Sequence, residues 1–101
     1  MAKPILLTNA ASLLAKFASP PTTRFYVGQI LQYGHGHYYV YCIILSNEPE
    51  YIVIERYPGE EFSIKKHPHQ YVEWHFDKST TTLADLGLTP EDIERYKAEI
   101  L

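Results

Sequence analysis

The run 38–45, Tyr-Tyr-Val-Tyr-Cys-Ile-Ile-Leu, contains no charged residue and no hydrogen-bonding amide or carboxylate side chain. Successive side chains of a strand point to opposite faces, so Tyr39, Tyr41, Ile43 and Leu45 share one face. Tyr38, Val40, Cys42 and Ile44 share the other, and neither set is suited to water. A strand of this kind sits in the middle of a sheet, with both faces covered by helices or by the sheet curling on itself. The run is far shorter than the ~20 apolar residues that span a bilayer. A soluble domain built around one two-sided strand is therefore expected.

The neighbouring sequence supplies the rest of the sheet. Between residues 24 and 76 the chain is rich in Tyr, Val, Ile and Phe, which favour a pleated surface. Strands are expected over 25–33, 37–45, 51–56, 62–66 and 69–76. They are separated by Gly34-His35-Gly36, Ser46-Asn47-Glu48-Pro49, Pro58-Gly59-Glu60 and Pro68. Turns this short join antiparallel neighbours, so the expected sheet is a curved meander of four to five strands. A small SH3-like barrel is one closed form of such a meander. In the last strand Val72, Trp74 and Phe76 alternate with His69, Tyr71, Glu73 and His75, and the first set is assigned inward.

The two ends read as helical. Thr8 or Asn9 can cap a short helix with Leu13, Leu14 and Phe17 on one face, and Ser19-Pro20-Pro21 stops it within segment 1–21. In segment 81–101, Leu83-Ala84-Asp85-Leu86 makes one turn that Gly87 can close. Thr89-Pro90-Glu91-Asp92 then opens a helix, with a capping hydroxyl, proline in the first turn and acids near the positive end of the dipole. The fold class is α+β, a single domain over 1–101. Its expected core comprises Val27, Ile30, Val40, Ile43, Ile44, Ile52, Ile54, Val72, Trp74, Phe76, Leu86, Ile93 and Ile100, with Leu83 and Leu88 docking the C-terminal pair.

Charge and cysteine usage narrow the function classes. A net charge of −3 argues against generic nucleic-acid binding, which needs an excess of Lys and Arg facing phosphates. Single-stranded nucleic acid would have to be held by Arg24, Arg56, Lys65, Lys66 and the tyrosines. The single cysteine, Cys42, excludes an intrachain disulfide and reads as a core thiol. The interrupted apolar start lacks the core of a signal peptide, so a cytoplasmic protein, away from membranes, is the expectation.

Three chemistries can be drawn from the side chains. Four of the five histidines form the pairs His35-Gly-His37 and His67-Pro-His69. Imidazole nitrogens at such spacing suit a transition metal, zinc or nickel, with His35, His37, His67 and His69 as the ligand set. An enzymatic reading would pair Glu73 with His75 or His69, near Ser63, Tyr71 and Asp77. No nucleophile elbow, phosphate loop or paired metal-carboxylate motif supports it. The third reading rests on the nine tyrosines, several of which flank turns. Tyrosine offers a broad apolar ring with a polar tip, suited to interfaces. A noncatalytic protein–protein interaction or regulatory module is thus the favoured expectation, with Tyr33, Tyr38, Tyr71, Glu73 and His75 as its contact surface. The partner would be another protein, and a homodimer through an exposed edge strand is open to such a chain.

Overall fold

The computed structural model describes residues 24–101, and the helix expected within 1–21 lies outside the described residues. Four strands follow one another: β1 (Ile30–His35), β2 (Tyr38–Ser46), β3 (Tyr51–Arg56) and β4 (Ser63–His67). A helix α1 (His69–His75) leads to the two-residue strand β5 (Asp77–Lys78). A 3-10 turn (Ala84–Leu86) and helix α2 (Pro90–Glu99) complete the chain. All pairings are antiparallel, in the order β4-β3-β2-β1-β5. The meander expected from the sequence is present, and β5 adds to its far side. No ladder joins β4 to β5 among the described residues, so these two strands form the sheet's edges.

The hairpin between β1 and β2 depends on Gly34. Its φ is +120°, and a Cβ there would collide with the Tyr38 carbonyl on the returning strand. Gly87 plays the corresponding part at the 3-10 turn, closing it in the left-handed region at φ 77°. Thr89 caps α2 as its sequence implies. The Thr89 side chain accepts from the Asp92 amide and the Asp92 carboxylate accepts from the Thr89 amide, a reciprocal box.

Strand β2 is central and packs on both faces. On one face Leu31, Val40, Cys42, Ile44 and Val53 join Phe25 and Tyr51 beneath Val72 of α1 and Phe76 at its end. On the other, Ile43, Leu45 and Ile54 lie beneath Leu86 and Ile93, with Tyr96 and Ile100 packed alongside. The domain is a three-layer stack of helix, sheet and helix. Full burial of each such side chain stabilises the fold by roughly 1.5–3 kcal/mol, which is why so small a domain needs both faces.

One expected element is different in kind. Residues 69–76 form helix α1 and its C-terminal cap instead of a strand. The apolar pair Val72 and Phe76 satisfies a helical i, i+4 spacing as well as a strand's alternation, and the uncovered face of the sheet decides between them. Trp74, two residues from Val72, is consequently turned outward and is 76% exposed instead of lying in the core. Val27 is also outside the core, at 42% exposure, in the turn that precedes β1. No helix among the described residues is long and apolar enough to cross a membrane.

Candidate functional site

Helix α1 carries the chain across one face of the sheet, from β4 at one edge to β5 at the other. Polar side chains gather in the seam beneath it. Glu55 on β3 is 4% exposed, and a buried carboxylate must find a donor. His67 at the end of β4 provides one, with Nε2 at 2.8 Å from Glu55 Oε1. A carboxylate only accepts, so the His67 proton sits on Nε2. The His67 ring packs on Tyr71 of α1 with centroids 4.4 Å apart, and Tyr71 stacks on His75 at the same spacing. Further along the seam the Tyr33 hydroxyl donates to that of Tyr57 at 3.4 Å, and the Tyr33 ring meets Phe76 edge-on at 4.7 Å.

The seam keeps the Tyr33 and Tyr71 phenols and the Cys42 thiol in their neutral forms. Burial, reinforced by the Tyr57 hydrogen bond, pushes the Tyr33 phenol well above its ordinary value. Burial and the nearby Glu55 charge do the same to Tyr71 and to the Cys42 thiol. Phenols and a thiol held protonated are poor nucleophiles and poor bases. The seam therefore has the chemistry of a clamp: it holds α1 to the sheet and satisfies Glu55.

A second junction fixes the other side of α1. The Glu73 carboxylate accepts from the Tyr51 hydroxyl at 2.8 Å and from the Arg24 amide at 3.0 Å. The Arg24 guanidinium donates to the Glu73 carbonyl at 2.9 Å, and the Phe25 amide donates to the Tyr51 hydroxyl. His69 Nε2 donates to the Asn47 carbonyl at 2.7 Å. These bonds pin the segment before β1 against the helix.

The residues singled out from sequence are distributed as follows. Tyr71 and Tyr33 lie half-buried in the seam, and Glu73 is engaged by Arg24 and Tyr51. His75 is exposed, with Nδ1 donating to the Tyr71 carbonyl, and Tyr38 is 52% exposed at the start of β2. No hydrogen bond joins Glu73 to His69 or His75 among the described residues. The sheet register puts His35 and His37 at the β1–β2 turn and His67 opposite Tyr51 at the other end of the sheet. The two His pairs are separated by the length of β2 and do not face one another. No three His, Cys, Asp or Glu side chains among the described residues are grouped to hold one metal ion.

Glu55, the seam's main residue, is not among the residues expected from sequence. A signal for it existed: Tyr51, Val53 and Glu55 share one face of β3, and an acid in that apolar set needs a buried partner. Trp74, expected inward, lies on the outer side of its element. It projects from the outer surface of α1, next in the chain to Glu73, which holds Arg24; Tyr26, 62% exposed, and the exposed Val27 follow Arg24. Comparison of the chain with protein-family models, with curated proteins and with solved structures returned no match.

Proposed function

We propose that this chain is a noncatalytic binding module whose partner is a protein, engaged through the outer face of α1 around Trp74. The observation that carries the reading is the exposure of that indole, 76%, on a helix whose inner side is fully engaged. Large apolar side chains exposed on a folded surface are informative where a buried one is not. Tryptophan is also the residue type most enriched among the anchors of protein interfaces. Tyr26 and Val27 are further large apolar side chains left exposed, and His75, Asp77 and Lys78, close to Trp74 in the chain, are exposed polar residues suited to an interface rim. The complementary surface is an apolar pocket wide enough for an indole. Of the contact residues expected from sequence, His75 and Tyr38 are exposed, whereas Tyr71, Tyr33 and Glu73 are partly buried against the rest of the fold.

The chain's one tryptophan makes the test direct. The partner is captured by cross-linking and identified, and the isolated pair is followed by tryptophan fluorescence. Burial of the indole should shift its emission to the blue. Trp74→Ala should keep the circular dichroism spectrum and melting temperature and lose the partner, while Tyr38→Ala keeps both. A partner retained by well-folded Trp74→Ala would overturn the assignment.

A further inference from the structure

The opposite face of the sheet carries a separate feature. Beyond the area covered by the 3-10 turn and α2, an open groove of about 370 Å³ runs between the β1–β2 and β3–β4 turns. Its floor is made by Tyr39 and Tyr41 on β2 and Arg56 on β3, with Tyr41 directly opposite Arg56 in the ladder. His37 closes one side, and Gly59 and Glu60 the other. The Arg56 guanidinium lies 4.8 Å from the Phe62 ring centre and 5.9 Å from that of Tyr41. One of its nitrogens donates to the Leu86 carbonyl at 3.4 Å. No carboxylate pairs with Arg56 among the described residues.

A guanidinium has five N–H donors in a planar fork that matches a carboxylate or phosphate. Here it is half-buried and oriented by two rings, and its hydrogen bond to the Leu86 carbonyl is long. The tyrosines beside it, 6.1 Å apart and tilted by 37°, present ring surface to anything that enters. The charge of the lining selects between anions. Arg56 contributes one positive charge and Glu60 one negative, so a monoanion seated on Arg56 neutralises the guanidinium, whereas a dianionic phosphate leaves a further uncompensated negative charge beside Glu60.

We propose that this groove binds a small aromatic monocarboxylate, its carboxylate on Arg56 and its ring against Tyr39 and Tyr41. The site is independent of the Trp74 surface, which lies on the other side of the sheet. Either assignment can fail without the other.

The test is a titration of the isotopically labelled full chain, followed by amide chemical shifts in two-dimensional NMR. The probes are 3-phenylpropionate, its alcohol analogue 3-phenylpropanol, acetate and phenyl phosphate. Millimolar 3-phenylpropionate should move the amides of His37, Arg56, Gly59 and Glu60 and leave those of α1 in place. The alcohol, acetate and phenyl phosphate should each bind at least several-fold more weakly. Arg56→Gln should lower affinity about tenfold, the loss expected for one charge-assisted hydrogen bond. Arg56 also packs on Phe62, so the exposed-turn variant Glu60→Gln gives a second reading that does not depend on that packing. It should narrow or reverse the preference for the carboxylate over phenyl phosphate. No saturable shift in the groove, equal binding of the alcohol, or an unchanged preference in Glu60→Gln would each overturn the proposal.

Discussion

At the scale of single residues, the most consequential side chain is Glu55. A carboxylate taken out of water is costly unless it is paired, and removing one partner of a buried pair leaves the other exposed to that penalty. Glu55→Ala strands a His67 that is itself only 17% exposed and leaves space beside Cys42. The expected loss is about 3 kcal/mol in urea unfolding, with Glu55→Gln losing less because an amide oxygen still accepts from His67. Equal losses in the two variants would mean that the hydrogen bond contributes nothing. The tyrosines of the seam give a prediction at high pH. Tyr33 and Tyr71 are held above their ordinary value of 10.0, so the folded state binds their protons more tightly than the unfolded chain does. That stabilisation is complete below about pH 10 and is lost as the pH rises toward the raised values. Alkaline melts should therefore show a decline in stability that is shallower in Tyr33→Phe, while an unchanged slope would place the linkage elsewhere. Asp92 behaves in the opposite sense. The Thr89 amide and the Arg95 guanidinium hold its carboxyl below the usual range, so its contribution is present above that range and disappears as the pH falls through the lowered value. Melting temperatures of wild type and Asp92→Asn should differ at neutral pH and converge in strong acid.

Elements differ in how plainly they were written in the chain. The meander of β1 to β4 was legible because turn residues punctuate it, and the two-sided run of β2 announced a covered sheet before any partner element was known. β3 spans its expected limits, Tyr51–Arg56, and the Thr89 cap identifies α2 through its local chemistry alone. α1 was not legible for a physical reason: at seven residues it is too short to be stable by propensity, and its pattern fits either period. Tyr71 with His75 and Val72 with Phe76 are i, i+4 pairs, yet Val72, Trp74 and Phe76 also alternate. Only the tertiary context, an apolar face of β1 to β3 that needs a cover, separates the two readings. Mutation can separate them as well. As a strand, the segment would bury Trp74, and Trp74→Ala would cost about 3–5 kcal/mol. As the helix observed, Trp74→Ala should change stability by no more than about 0.5 kcal/mol, whereas Val72→Ala should cost about 2 kcal/mol. Denaturant unfolding of the two variants side by side decides it.

For the whole molecule, the arrangement of layers determines where other chains can attach. Both broad faces of the sheet are largely covered, one by α1 and the other by the 3-10 turn and α2, which leaves the helix surfaces, the groove at Arg56 and the two edges. An edge strand with free backbone donors and acceptors is a template for pairing with a copy of itself. The β5 edge is two residues long and offers little to pair with. The β4 edge is longer, and Lys65 and Lys66 stand exposed at its centre, on opposite faces of the strand. In an antiparallel pairing of two β4 strands these charges would be brought together and stripped of water on both sides of the new sheet. Like charges directly across a ladder are unfavourable, and lysine on an edge is a common device against this association. A homodimer through β4, open on the sequence alone, is thereby disfavoured by the residues that occupy the edge. The expectation is a monomer at micromolar concentration by light scattering, unchanged from low to moderate salt. Replacing both lysines, Lys65→Val with Lys66→Val, removes the charge and adds two strand-favouring side chains, and association should appear with the helices still folded. Persistence of a monomer in that double variant would show that something other than the lysines protects the edge. A wild-type dimer that resists salt would show that the molecule uses a different surface, and the emission of Trp74 would report whether that surface is α1.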